Sequence, residues 1–178
     1  MQPHLETERL WLCAWELDDV AAARPLFTDP EIMRYINGGV ARSDDQIRES
    51  IVRQQNYLRE RGYCFWKLLL KRDGRLIGDC GLQPLDLDSV TEIEIGWRLA
   101  KDQWGRGLAT EAAHVALRHA VDYAHLERVI AIAMPENRVS LRIMEKLSMS
   151  FERMSSKDGF QIAVYARHFA PAGQRARP

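Results

Sequence analysis

The spacing of apolar positions along this chain switches repeatedly between the two-residue period of a strand and the near-four-residue period of a helix. Residues Arg9 to Trp15 (RLWLCAW) alternate loosely and predict a first strand. Asp18 and Asp19 supply helix-start chemistry ahead of VAAARPLF, which Pro25 is expected to kink or shorten. A second start lies at Asp29-Pro30, with the proline ring at the first helical position and Glu31 in the first turn. DPEIMRYI therefore reads as a short helix, ended by Gly38-Gly39. Ser43 and Gln46 form an S-x-x-Q capping box, and Ile47, Ile51 and Leu58 mark the inner face of a first long helix.

Tyr63 to Lys71 (YCFWKLLLK), the Asp73-Gly74 turn and RLIGDCGLQPL together predict a hairpin. In TEIEIGWRLA the alternation is strict enough for a strand, with Glu92, Glu94 and Gly96 on one face and Ile93, Ile95 and Trp97 on the other. From Thr110 to Tyr123 the alanine content, with Ala113, Leu117, Ala120 and Val121 on one side, predicts a helix lying close on a sheet. RVIAIAM is a buried strand, Ser140 to Leu147 a short helix, SSKDG a loop, and FQIAVYARHF a last strand. With no repeat and no linker, this is one α/β (α+β) domain over residues 1–170, and APAGQRARP leads into a tail, 171–178, expected to be mobile.

Composition narrows the function classes. In 178 residues, 46% hydrophobic and 28% charged, 25 Lys+Arg balance 25 Asp+Glu, so no broad field favours nucleic acid or an anionic membrane. A chain of this size buries roughly 70% of its unfolded surface and needs no metal or disulfide to hold one core together. Cys13, Cys64 and Cys80 form no C-x-x-C pair or Cys/His cluster and read as small buried hydrophobes, with no metal site. No apolar run nears the ~20 residues of a membrane span, and MQPHLETERLWL lacks a leader pattern, so a reducing cytoplasm is the expected location.

The chemistry concentrates at the junction GWRLAKDQWGRGLATEA. Gly105 and Gly107 open backbone conformations closed to other residues and leave successive N–H groups unobstructed at a helix start, with Thr110 able to add a hydroxyl. Such a concavity suits a pyrophosphate. Alone it is equally a tight connection. The string G-x-x-x-x-G-K-[ST] is absent, and the turn comes far past a first strand, so neither a nucleotide-triphosphate loop nor a dinucleotide fold accounts for it.

With LETERLWL, DPEIMRYI, DGRLIGDCGL, EIEIGWRLAKDQWGRGLATEA and PENRVSLRIMEKLSM in this order, the chain resembles the GNAT N-acetyltransferases, and within them the RimJ/RimL-like branch that acetylates protein amino termini and some small amines. The resemblance implies that the [Q/R]-x-x-G-x-[G/A] turn, here Trp104, Gly105, Arg106, Gly107, Leu108 and Ala109, holds the pyrophosphate of acetyl-CoA, with Trp104 in place of the usual Gln or Arg. It implies a splayed central strand pair, where the pantetheine arm lies against Trp97, Arg98 and Leu99, and a contact to that arm from Asn137; Arg142 and Lys146, on the helix that follows, are candidates for meeting the cofactor phosphates. It also implies a homodimer. An ordinary paired strand, a turn asparagine and solvated helix charges are the plainer readings of the same residues.

Acetyl transfer to nitrogen needs a neutral amine and a stabilised leaving thiolate. Glu94 is the first candidate for base or amine-orienting group, with Glu92 second, against a solvated sheet face. Many family members carry a tyrosine where Met144 stands, so Ser140 is the nearest group for the cofactor sulfur. It is equally a helix cap. Trp66 reads as core, with the acceptor pocket as an alternative, and the five histidines as packing or surface residues. With no evident nucleophile, transfer is expected to be direct. The acceptor is expected to be a protein α-amine. The alternatives are a small amine such as a polyamine or antibiotic, or a non-catalytic acyl-CoA-binding module. The acceptor loops, Met33 to Ser43 and Ser155 to Gly159, show no decisive charge pattern.

Overall fold

The structure is a computed structural model that describes residues 4–171; the sequence positions 172–178, most of the expected tail, lie outside the described residues. Its strands form one eight-stranded sheet in the order β1-β2-β3-β4-β5-β6-β8-β7. The strands are β1 (Leu5–Glu6), β2 (Leu10–Cys13), β3 (Phe65–Leu70), β4 (Leu76–Leu87), β5 (Val90–Leu99), β6 (Arg128–Ala133), β7 (Ser150–Lys157) and β8 (Phe160–His168). Neighbours are antiparallel except β5 and β6, which run parallel and register at one pair, Glu94 opposite Ile130. The expected mixed, mainly antiparallel sheet is observed.

Local chemistry explains most boundaries. Helix α1 (Val20–Thr28) runs through Pro25, and α2 is only Pro30–Met33, with the Asp29 side chain accepting from the Glu31 and Ile32 N–H groups. In α3 (Asp44–Arg61) the capping box forms as read: Ser43 Oγ accepts from Gln46 N–H at 3.3 Å and Gln46 Oε1 from Ser43 N–H at 2.9 Å. Between β4 and β5, Asp88 and Ser89 both take positive φ (52° and 64°), the geometry of a two-residue hairpin. Helix α4 (Leu108–Asp122) begins two residues before the expected Thr110, and α5 (Arg138–Lys146) two before the expected Ser140. The SSKDG segment is not a loop: Ser155 to Lys157 belong to β7, and Asp158-Gly159 is the turn into β8.

Helices α1 and α3 bury Trp15, Phe27, Ile47 and Ile51 on one face of the sheet, while α4 and α5 cover the other. Four alanines of α4, Ala112, Ala113, Ala116 and Ala120, are completely buried, so with no long side chain between them the helix axis lies close on the sheet. Trp66 is wholly buried in this second core, edge-on to His119, and lines no acceptor pocket. Cys13, Cys64 and Cys80 are buried and unbridged, and burial pushes all three thiols up, away from reactivity. Among the described residues no helix is long and apolar enough to cross a membrane.

Candidate active site

Backbone direction along β5 creates the site. Ala100 N–H donates to Ile77 O on β4 at 2.8 Å. Because peptide groups alternate along a strand, those of Arg98, Gly96 and Glu94 face β4, while those of Trp97 and Leu99 face β6. The ladder to β6 stops at Glu94 and Ile130, so beyond that pair the two strands part and the Trp97 and Leu99 groups look into a gap. Trp104, half-exposed, donates its indole N–H to Leu99 O at 2.8 Å, so one of those groups already has a partner. The tryptophan that replaces the usual Gln or Arg thus ties the turn to the strand end.

At the wide end of the gap lies the glycine turn. Gly105 (φ 73°) and Gly107 (φ 78°) both adopt the left-handed conformation, with Gly107 as the residue before the first helical one of α4. Among the described residues, the first helical N–H with an acceptor is that of Glu111, bonded to Gly107 O at 3.0 Å. The N–H groups from Gly105 to Thr110 have none, and they sit at the positive end of the helix dipole. Arg9 holds this turn from behind: its Nη1 donates to Arg106 O at 3.0 Å, and its Nε and Nη2 grip Glu111 at 2.7 and 2.5 Å. Thr7 also bonds Glu111. Arg106 itself is exposed and does not line the cleft.

A cavity of about 870 Å³ runs from the turn through the gap to the α1–α3 side. It brings together Glu94, Trp97, Arg98, Leu99, Trp104, Gly105, Gly107, Leu108, Ala109, Thr110, Asn137, Ser140 and Arg142, all read from the sequence, with Lys146. Asn137 caps α5 by accepting from Ser140 N–H at 3.2 Å. The capping role therefore falls to Asn137, and the Ser140 hydroxyl has no partner among the described residues. Met144, one turn on, is buried and offers no proton. Arg98 directs its guanidinium away from the turn, onto Asp79 and over the Phe27 ring at 3.7 Å.

Glu94 is held in a polar relay that the sequence reading missed. Gln83 Nε2 donates to Glu94 Oε2 at 3.0 Å, Gln54 Nε2 to Gln83 Oε1 at 3.1 Å, and Phe65 N–H to Gln54 Oε1 at 2.8 Å. Desolvation raises the Glu94 carboxyl above its ordinary range, opposed by the Gln83 bond and by Lys157. Gly96, two residues on, leaves room for the Phe65 ring, which a β-carbon there would meet at 2.8 Å. Glu92 is committed elsewhere: it pairs with Arg128 at 3.0 Å, outside the cavity lining, and is set aside as a base. The signal for the relay was present in α3, where polar Ser50 and Gln54 fall on the buried face beside Ile47 and Ile51.

Residues 9–150 match the family model of the Acetyltransferase (GNAT) domain. The chain is 32% identical over 164 residues to the uncharacterized protein YkkB of Bacillus subtilis, covering 92% of this chain and 94% of that one. It is 30% identical over 148 residues to the uncharacterized N-acetyltransferase p20 of Bacillus licheniformis, covering 83% of each. In fold it is similar to RimL, a ribosomal L7/L12 α-N-protein acetyltransferase solved in complex with coenzyme A, at a TM-score of 0.76 and 15% identity over 94% of this chain and 98% of that one. A parted parallel strand pair, a free amide cradle at a helix start and these matches converge: the chain belongs to the GNAT family and is an N-acetyltransferase.

Proposed function

We propose that the chain transfers the acetyl group of acetyl-CoA directly to a neutral α-amine, most naturally that of a protein amino terminus. The observation that carries this reading is the row of unbonded N–H groups from Gly105 to Thr110 opening into the β5–β6 gap, with the Glu94 carboxylate lining the same cavity. The residues present suit coenzyme A. The amides can accept a pyrophosphate, the open backbone of Trp97 can pair with an extended amide chain as in strand addition, and Arg142 and Lys146 add positive charge on the α5 side. The thioester supplies the acetyl group and a thiolate leaving group.

An α-amine, with a pKa of about 7.7 to 8.0, needs only a modest base, whereas a lysine amine near 10.4 needs a stronger one. Glu94, whose carboxyl is made more basic by burial, suits the first task, taking the proton directly or through water. As the amine nitrogen bonds to the acetyl carbon, the carbon–sulfur bond breaks. The Ser140 hydroxyl donates a hydrogen bond to the sulfur as charge gathers there. A thiol has a pKa near 8.5, so its thiolate leaves without full proton transfer from a residue. This accounts for a site in which the tyrosine position is filled by Met144. The fold shared with RimL supports the protein-terminus acceptor.

Thiol release from acetyl-CoA in the presence of amino-terminal peptides, polyamines and aminoglycosides tests the reading. Release stimulated by peptides with free α-amines is expected. Coenzyme A binding without release from any of these acceptors would instead favour a binding module.

A further inference from the structure

Opposite the coenzyme end, the cavity wall carries two arginines that form no ion pair among the described residues. Arg42 Nη1 and Arg53 Nη2 converge on one hydroxyl, Ser50 Oγ, at 2.6 and 3.3 Å, so the two nitrogens stand within about 6 Å of each other. Both arginines line the cavity. Neither has a carboxylate within 4.0 Å among the described residues, although acids are near. Asp79 is taken by Arg98, Glu31 by Lys101 at 2.5 Å, and Asp158 by Lys157 at 3.7 Å. Glu94 is bonded by Gln83.

Like charges drawn together beside a cavity, with the local acids already spoken for, make a site ready for an anion. The site is also ordered in advance. Arg42 N–H donates to Phe27 O at 3.0 Å, and its guanidinium lies 5.4 Å from the centre of the Phe27 ring. Ser50 is buried on α3, one turn before Gln54 of the Glu94 relay, so the same helix positions the cationic pair and the carboxylate. Burial, then Arg98 and Arg53, lower the pKa of Arg42 against an opposing pull from Asp79, the direction a bound anion would reverse.

We propose that Arg42 and Arg53 bind an anionic group, a carboxylate or phosphate, carried by the acceptor whose amine is presented to Glu94. This rests on the acetyl-transfer reading above and narrows it: the acceptors are acidic amines, and cationic ones such as polyamines are excluded. Two guanidiniums sharing a hydroxyl can each give parallel N–H donors to one oxyanion group, which a neutral amide cannot match.

The test uses acceptors that differ in charge, with rates compared per neutral amine so that differences in amine basicity drop out: glycine against glycinamide, aminomethylphosphonate as the phosphate counterpart, and short peptides with Asp against Asn at the second position. Thiol release is expected to favour the acidic member of at least one pair by tenfold or more in kcat/KM, and the favoured pair identifies the source of the anion. Arg42→Gln and Arg53→Gln should each erase that preference by raising KM for the acidic member. Arg48→Gln, on the same helix, should keep it. Since Arg53 is exposed, its variant keeps the test open even if Arg42→Gln folds poorly. Equal use of acidic and neutral members, or a preference that survives both substitutions, overturns the proposal. Should no acceptor turn over, calorimetric titration of the coenzyme A-saturated protein with the same compounds decides. Acid-selective binding that depends on Arg42 upholds the anion site while the acetyl-transfer reading fails, and its absence overturns the site.

Discussion

Substituting alanine at Gly105, Gly107 and Gly74 in parallel separates what the turn does for folding from what it does for the coenzyme. All three glycines have the same backbone conformation, with φ of 73°, 78° and 70°. A β-carbon would meet nothing within 4 Å at Gly105 or Gly74, and only an Arg9 nitrogen at 3.8 Å at Gly107. Steric cost is therefore negligible in each case, and the penalty is the left-handed conformation itself, about 1–2 kcal/mol for an L-residue. For a domain of this size that lowers Tm by roughly 2–8 °C. The stability loss should be nearly equal in the three variants. Coenzyme binding should differ, because Gly105 and Gly107 line the cavity beside the free amides and Gly74 lies in the β3–β4 hairpin turn. One or two lost hydrogen bonds to a charged group, at about 1.5–3 kcal/mol each, correspond to at least a tenfold loss of affinity. Thermal melts with and without coenzyme A, followed by titration calorimetry, measure both quantities. If Gly107→Ala and Gly74→Ala bind coenzyme A equally well, the amides at the α4 start are not the phosphate cradle.

Three other outcomes are expected. Ser140→Ala should lower kcat by about 10- to 100-fold, the worth of a hydrogen bond to a charged sulfur. KM for acetyl-CoA and Tm should barely move, since the hydroxyl has no other partner; an unchanged kcat would remove it from the mechanism. In Glu94→Gln, turnover with an α-amine should fall, and the wild-type rate should climb with pH through a value above the ordinary glutamate range. A raised folded-state pKa means that burying this group is easiest below the unfolded value and becomes a liability as pH rises through the folded one. Denaturant melts should therefore find Glu94→Gln stabilised relative to wild type at pH 8 and not at pH 4; the reverse order would show that the carboxylate is not desolvated. Asp79→Asn leaves Arg98 buried beside Phe27 without its counter-charge, so a loss of about 3–5 kcal/mol is expected by chemical denaturation.

What the sequence made legible was chemistry local to a few residues. The Ser43/Gln46 box, the Asp73-Gly74 turn and the glycine pair before α4 announce themselves because their physics is confined to four or five neighbours. Strand β7 escaped because it is an edge strand: none of its residues Ser150 to Lys157 is buried, so no apolar alternation marks it. Ser140 looked like a cap because Asn137 also fits, and only geometry shows which of the two oxygens reaches the free N–H.

The groups that tune the site were not legible at all, and the reason is distance along the chain. Arg9 and Glu111 are 102 residues apart, Gln54 and Gln83 are 29 apart, and Arg42 lies in the loop ahead of α3, the helix that carries Arg53. None has a motif, since each pairing is set by how the elements pack together. Strand β2 lies far from β5 in that order, yet Arg9, at its start, reaches the α4 turn because the alanine face of α4 lets the helix lie across the sheet. A longer residue at Ala112 or Ala116 would lift α4 and withdraw Glu111 from Arg9, loosening the glycine turn without touching a glycine. The glycine turn is thus local in sequence but held in place by packing, so the small residues of α4 are as much a condition of its geometry as Gly105 and Gly107.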